Sequence, residues 1–377
     1  MTKAGRLTYR PEIDGVRAIA VLAVLGFHVS FVAPALRPYF GGGFLGVDIF
    51  FVLSGMLITE LIVADHLATN QARLRDFYRR RARRLLPALV TFLVLAAAYF
   101  QLDRNAGIST LKNYVSVFTF VDAGHMTYPW SVGVSQIWTL IVEWEFYIFW
   151  PLALIIALRR GVDRRRIGMW TAVAAVAMTG VRLSIYLLGT HNWNLSYYSG
   201  WLRFDELLVG CALGLLSGWP QVPNWLRVAG GAFLLYVIGQ ARFSSEWLYV
   251  GGMLAIATCA AMVVQPRAKP WAVDRVLASA PMVWMGKLSY SLYLWSGTLV
   301  AEVSVHGRSW SSTQRAIVSI IGSFALAIPS YYLVERRFRL PSRRAAGGET
   351  DPVRAGVHGS DPVVEAEIAD DTQATTQ

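Results

Sequence analysis

The chain has 377 residues, 55% of them hydrophobic and only 16% charged, with a mean hydropathy of +0.42. A soluble domain carries about 25% charged residues, so long apolar runs at this charge content exclude a water-soluble enzyme and imply a polytopic membrane protein. The net charge of +11 does not indicate nucleic acid, because the basic residues cluster between apolar runs, as the positive-inside rule requires.

The first predicted span covers residues 15–36. No small-x-small cleavage site closes it, so it reads as an uncleaved first span. It carries Asp14 at its head and then Arg17 and His28. Eleven residues separate the last two, which returns them to nearly one helix face, about 16 Å apart along the axis. A charge near the bilayer centre costs about 2.5–3.5 kcal/mol, so a sequence keeps several only where a cavity or a partner receives them. His28 is the one histidine of six inside a predicted span. Its imidazole is a natural general base toward a hydroxyl. The bland alternative is a satisfied core histidine beside a snorkelling arginine. Asp14, one turn before Arg17, is placed to orient or neutralise it, or simply to favour a helix N-terminus.

A Gly-rich turn leads to span 2, residues 43–64, which holds Asp48 and Ser54. A basic, aromatic stretch then runs into span 3 at 84–102. Within it Arg81 and Arg84 share a helix face. Guanidinium forks suit phosphate oxygens, although any inner loop is basic and would also attract anionic lipid. Residues 103–135 contain NYVSVFTFV, too short to span and readable as re-entrant or interfacial. Span 4, residues 136–158, puts Glu143 and Tyr147 on one face and turns Glu145 nearly the opposite way. Span 5 covers 167–188. Span 6, residues 203–218, opens with Arg203 and Glu206, spaced for an ion pair. Spans 7, 8, 9 and 10 cover 226–240, 247–265, 284–304 and 315–335. Span 9 carries Tyr290 within Ser289–Trp295, and span 10 ends at Glu335.

The expected fold is therefore an all-α transmembrane bundle of about ten spans over residues 1–340. With both termini cytoplasmic, the inner segments hold roughly two dozen Lys or Arg and the outer loops about half a dozen. Residues 341–377 turn acidic and lack aromatics, which reads as a disordered cytoplasmic tail. Cys211 and Cys259 give no disulfide framework and no metal spacing. No Gly-x-Ser-x-Gly elbow, metal-ligand cluster or Walker loop occurs.

The order of these motifs resembles the acyltransferase-3 family over about residues 10–340. The series is Arg17-x10-His28, Gly46 to Gly55, Arg81-x-x-Arg84 with Pro87, Trp138 to Tyr147, Arg203 to Gly210, Ser289 to Trp295, and Glu335. The resemblance implies a ten-span O-acyltransferase of the inner (plasma) membrane. Such a protein takes an acyl group, usually acetyl, from cytoplasmic acyl-CoA to a hydroxyl on a carbohydrate-containing acceptor. By that resemblance Arg17 and His28 are catalytic; should His28 be only a packing residue, Glu143, a carboxylate inside an apolar span, is the next candidate base. Arg81 and Arg84 meet the donor, and Asp14, Asp48, Ser54, Arg203, Glu206, Tyr290 and Glu335 support them. The donor is a substrate, and no bound cofactor or metal is implied. Expected partners are acyl-CoA, a glycolipid, polysaccharide or glycosylated metabolite, and the bilayer.

The sequence departs from the family pattern at several points. Ser296 follows Trp295 where the family often has His, Thr139 replaces Ser, Glu145 replaces Gln, and Arg337 replaces Pro. Some members carry a fused extracytoplasmic SGNH hydrolase-like domain. Without one, the chain is expected to transfer directly or through a separate extracytoplasmic transferase. The alternative from another class is a transporter or flippase of a glycolipid or small metabolite, with the same charges lining its path.

Overall fold

The computed structural model describes residues 8–69, 74–102, 135–189, 191–216, 220–267 and 270–338. Among the described residues there are ten helices of twelve residues or more and no strand. They are α1 (Pro11–Val32), α2 (Gly46–Thr69), α3 (Leu74–Leu102), α4 (Trp138–Arg159), α5 (Arg164–Leu188), α6 (Phe204–Leu215), α7 (Asn224–Gln240), α8 (Gly252–Val264), α9 (Ala280–His306) and α10 (Ser312–Pro329). The interfacial segment expected inside 103–135 falls almost wholly outside the described residues, and the acidic tail at 341–377 does so entirely.

Among the described residues six stretches are long and apolar enough to cross a bilayer: α1, α2 with its lead from Gly43, α3 to Tyr99, α4, α5, and α10 continued to Phe338. The chain is thus a multi-pass membrane protein. At 27 residues, α9 is also long enough, about 40 Å, but Ser, Tyr and Trp dilute its apolar character. The other three are shorter than the roughly 20 residues that a hydrocarbon core requires.

Local chemistry explains where the helices differ from the predicted spans. α1 begins on Pro11, whose missing N–H is no loss in a first turn. It stops at Val32, short of residue 36, because Pro34 forces Ala33 out of the helical region to φ −133° and ψ 81°. The basic stretch before Pro87 is not a loop leading into a span but the first half of α3 itself. Arginine is a good helix former, and Pro87 is accommodated inside the helix. The predicted span 247–265 is split into a 3-10 turn, Glu246–Leu248, and α8. Between them Gly251 has φ +139°, a conformation that a side chain disfavours. At the start of α10, Ser311 and Gln314 form a reciprocal capping box. Its far end continues as a π-helical turn, Ser330–Glu335.

Contacts between helices give their directions. α1 and α9 run parallel, since Arg17 meets Ser289 and His28 meets Ser296. α3 joins the same set through Leu85 with Tyr290, Phe92 with Trp295, and Tyr99 with Glu302. α2 runs opposite, because Arg10 reaches Glu60. α4 runs with α2, through Ser54 with Glu143 and Thr59 with Trp150. α6 does so too, through Asp48 with Arg203 and two glycines at the crossing. A Cβ on Gly55 would collide with the Leu207 carbonyl, and one on Gly210 with that of Val52. Each helix therefore runs opposite to the one before it. The start of α1, the basic start of α3, the α4–α5 turn and the end of α10 share one end of the bundle.

Candidate active site

An open pocket of about 680 Å³ lies between α1, α2, α3, α4 and α9. Arg17, Arg81 and Arg84 line it, together with Ser54, Thr139, Glu143, Ser289, Tyr290 and Tyr293. Three guanidinium groups in one partly apolar pocket make a strong site for an anion with several oxygens. Arg17 donates to the Ser289 hydroxyl at 2.9 Å and lies 3.5 Å from Asp14. Asp14 in turn accepts from the Tyr9 hydroxyl at 2.6 Å. Partial burial and the adjacent Asp14 carboxylate push the Tyr9 hydroxyl up from its ordinary value.

Glu143 is held on both oxygens. Ser54 donates to one at 2.6 Å and Tyr147 to the other at 2.9 Å, one helical turn away as its spacing predicts. Arg81 lies over the Tyr147 ring, donates to its hydroxyl and approaches the Glu143 carboxylate at 3.8 Å. Tyr290 donates to the Leu85 carbonyl at 3.1 Å. Glu335, delivered by the π-helical turn, is fully buried and accepts from Ser291 at 3.0 Å.

His28 does not line this pocket. It stands about 16 Å further along α1, on the seam with α9, where its Nδ1 lies 3.3 Å from the Ser296 hydroxyl. Beyond Arg17 the same seam carries Thr139 and Tyr293, whose hydroxyls are 2.7 Å apart. Gln136 follows, donating to the Leu294 carbonyl and to Thr298.

Asp48, Arg203 and Glu206 belong to a different place. They join Arg182 and Asp205 in a cluster whose five side chains are all fully buried. Arg182 reaches Asp205 at 2.6 Å, and one nitrogen of Arg203 lies 3.1 Å from Asp48 and 3.0 Å from Glu206. Thr179 donates to Asp205, the Leu202 carbonyl accepts from Arg182, and the Tyr197 ring covers Arg203. Among the described residues no group of three His, Cys, Asp or Glu is arranged to hold a metal ion, and both cysteines are free.

The acyltransferase-3 family model, described as an acyltransferase domain, matches residues 10–334. The chain belongs to that family. The peptidoglycan O-acetyltransferase OatA of Listeria monocytogenes is 30% identical over 356 residues, covering 88% of this chain and 56% of its own length. YrhL of Bacillus subtilis, provisionally named a peptidoglycan O-acetyltransferase, is 31% identical over 369 residues, covering 89% and 56%. A Staphylococcus aureus relative, provisionally named an O-acetyltransferase, is 29% identical, covering 90% and 58%. The chain thus spans little more than half the length of these curated relatives. No solved structure matches it.

Within this acyltransferase domain the structure brings together Arg17, Asp14, Ser54, Arg81, Arg84, Glu143 and Tyr290. It sends Asp48, Arg203 and Glu206 to the buried cluster and leaves Glu335 against Ser291. Sequence reasoning passed over Arg182. Its signal was available, a lone arginine in the middle of an apolar run. The Ser54–Glu143 contact and the Ser296–His28 contact join residues 89 and 268 positions apart, and no local pattern encodes them.

Proposed function

We propose that this acyltransferase domain is a membrane O-acetyltransferase that moves an acetyl group from acyl-CoA to a hydroxyl of a cell-wall carbohydrate. Peptidoglycan is the acceptor named for the listerial relative. The observation that carries this reading is the three-arginine pocket at one end of the α1–α9 seam, with an imidazole further along the same seam. Arg81 and Arg84 hold phosphate oxygens of the donor, and Arg17 holds the pantetheine side of it or the reacting carbonyl. An extended pantetheine arm is long enough to carry the thioester from the arginines to His28. There His28 removes the acceptor proton, the oxygen attacks the acyl carbon, and the C–S bond breaks. Glu143, engaged by Ser54, Tyr147 and Arg81, serves as the anchor of Arg81.

The end of the bundle that bears the arginine-rich start of α3 and the α4–α5 turn faces the cytoplasm, where CoA is, by the positive-inside rule. Alternating helices then put both ends of the membrane domain there, in the inner membrane. The test uses membranes matched for protein content and labelled acetyl-CoA. His28→Ala and His28→Gln are expected to lower acetyl transfer about 10²–10⁴-fold, the range for a lost general base. If wild-type membranes move a glycolipid without consuming acetyl-CoA, the protein is a transporter instead.

A further inference from the structure

We infer that Ser296 is the positioning residue of His28, fixing the imidazole tautomer that leaves Nε2 free to accept a proton. The inference rests on the reading of His28 as the base. Ser296 is fully buried in the middle of α9, facing α1. A helical serine or threonine commonly turns its hydroxyl back to the carbonyl four residues earlier, as Thr91, Thr171 and Ser323 do here. Ser296 does not. Its hydroxyl crosses to the neighbouring helix, with His28 Nδ1 as its partner at 3.3 Å. Among the described residues the other ring nitrogen, Nε2, makes no hydrogen bond. One side of the imidazole is therefore tied to the protein and the other is left without a protein partner there.

Neighbouring residues fit that orientation. Gly297 follows Ser296, and a Cβ there would press on Gln136 Oε1 at 2.8 Å and on the imidazole Cε1 at 3.4 Å. Its absence lets the ring and the amide share the seam. Among the described residues no carboxylate pairs with His28, and the Ser296 hydroxyl does the orienting. A neutral imidazole has one N–H and one bare nitrogen. The 3.3 Å contact is compatible with either donor; the base role of His28 requires Nδ1 to carry the proton and donate to Ser296 Oγ, which leaves the lone pair on Nε2. During transfer Nε2 takes the acceptor's proton, the acceptor oxygen bonds to the acyl carbon, and the departing thiolate receives that proton as CoA thiol. Throughout, Ser296 Oγ accepts the Nδ1 proton and holds the ring plane. The hydroxyl thus occupies the position where the resembling sequences often carry a second histidine.

Two measurements test this. In the first, wild-type protein in detergent is labelled with ¹⁵N-histidine, and the His28 signals are identified by their loss in His28→Gln. The expected pattern has the proton on Nδ1 and a bare Nε2, and in Ser296→Ala the tautomers become mixed. A wild-type proton on Nε2 overturns the inference. In the second, Ser296→Ala is expected to lower kcat about tenfold, the worth of one good hydrogen bond, with the KM for acetyl-CoA unchanged. Full kcat in Ser296→Ala beside a dead His28→Ala overturns the role of Ser296 alone. An active His28→Ala overturns the assignment of the base, whatever Ser296 does.

Discussion

Two groups of charges lie inside this membrane domain, and they are built from the same residue types to opposite ends. In the sealed cluster, Arg182 and Arg203 face Asp48, Asp205 and Glu206, and all five side chains are fully buried. In the open pocket, Arg17, Arg81 and Arg84 face mainly hydroxyls, apolar walls and the single well-engaged carboxylate Glu143. The cluster places each cation against carboxylates, and it joins α2, α5 and α6. The pocket is lined by three arginines and Glu143, with Asp14 against Arg17 beside them, and it is open. A buried charge with its counter-charge holds helices together. A charge that lines an open pocket can also meet something that arrives.

Substitutions can break that contrast, beginning where the effect is largest. Arg203→Ala strands two carboxylates in the interior and is expected to cost about 3–5 kcal/mol of stability. The measurement is membrane level and thermal midpoint in detergent, and a normal midpoint would mean that the cluster does not hold the helices. Arg81→Ala and Arg84→Ala should leave that midpoint near wild type. Each should raise the KM for acetyl-CoA by an amount equivalent to about 1.5–3 kcal/mol. An equal loss with a donor lacking the nucleotide would show that these arginines do not hold phosphate. Tyr9→Phe removes one donor from Asp14 at the pocket rim and should cost about 0.5–1.5 kcal/mol. It is read as a small drop in kcat/KM, and a complete loss would place Tyr9 inside the reaction rather than at its edge.

Much of this contrast could be read along the chain, but only where it is local. The eleven-residue step from Arg17 to His28 and the three-residue step from Arg81 to Arg84 each predict a shared face, and each pair does face one feature. α1 turns both its residues to the α9 seam, and α3 turns both arginines to the pocket. The i,i+3 pair Arg203–Glu206 was equally visible. What stayed hidden depends on contacts across the bundle. Nothing near Asp48 announces Arg203, and nothing near Arg182 announces Asp205. Asp48, read as support for the site, therefore turned out to belong elsewhere. Helix ends were missed for a simpler reason. Apolar runs continue through Pro34 and Gly251, whereas backbone geometry does not.

The parallel pairing of α1 with α9 sets an order of events during synthesis. Arg17 and His28 leave the ribosome about 270 residues before Ser289 and Ser296. Until α9 arrives, the polar face of α1 lacks its neighbour in a medium that penalises unpaired charge. The α1–α9 seam can therefore close only late in the synthesis of the domain. Chains truncated before α9 present that face to lipid, or to the proteases and chaperones that patrol it.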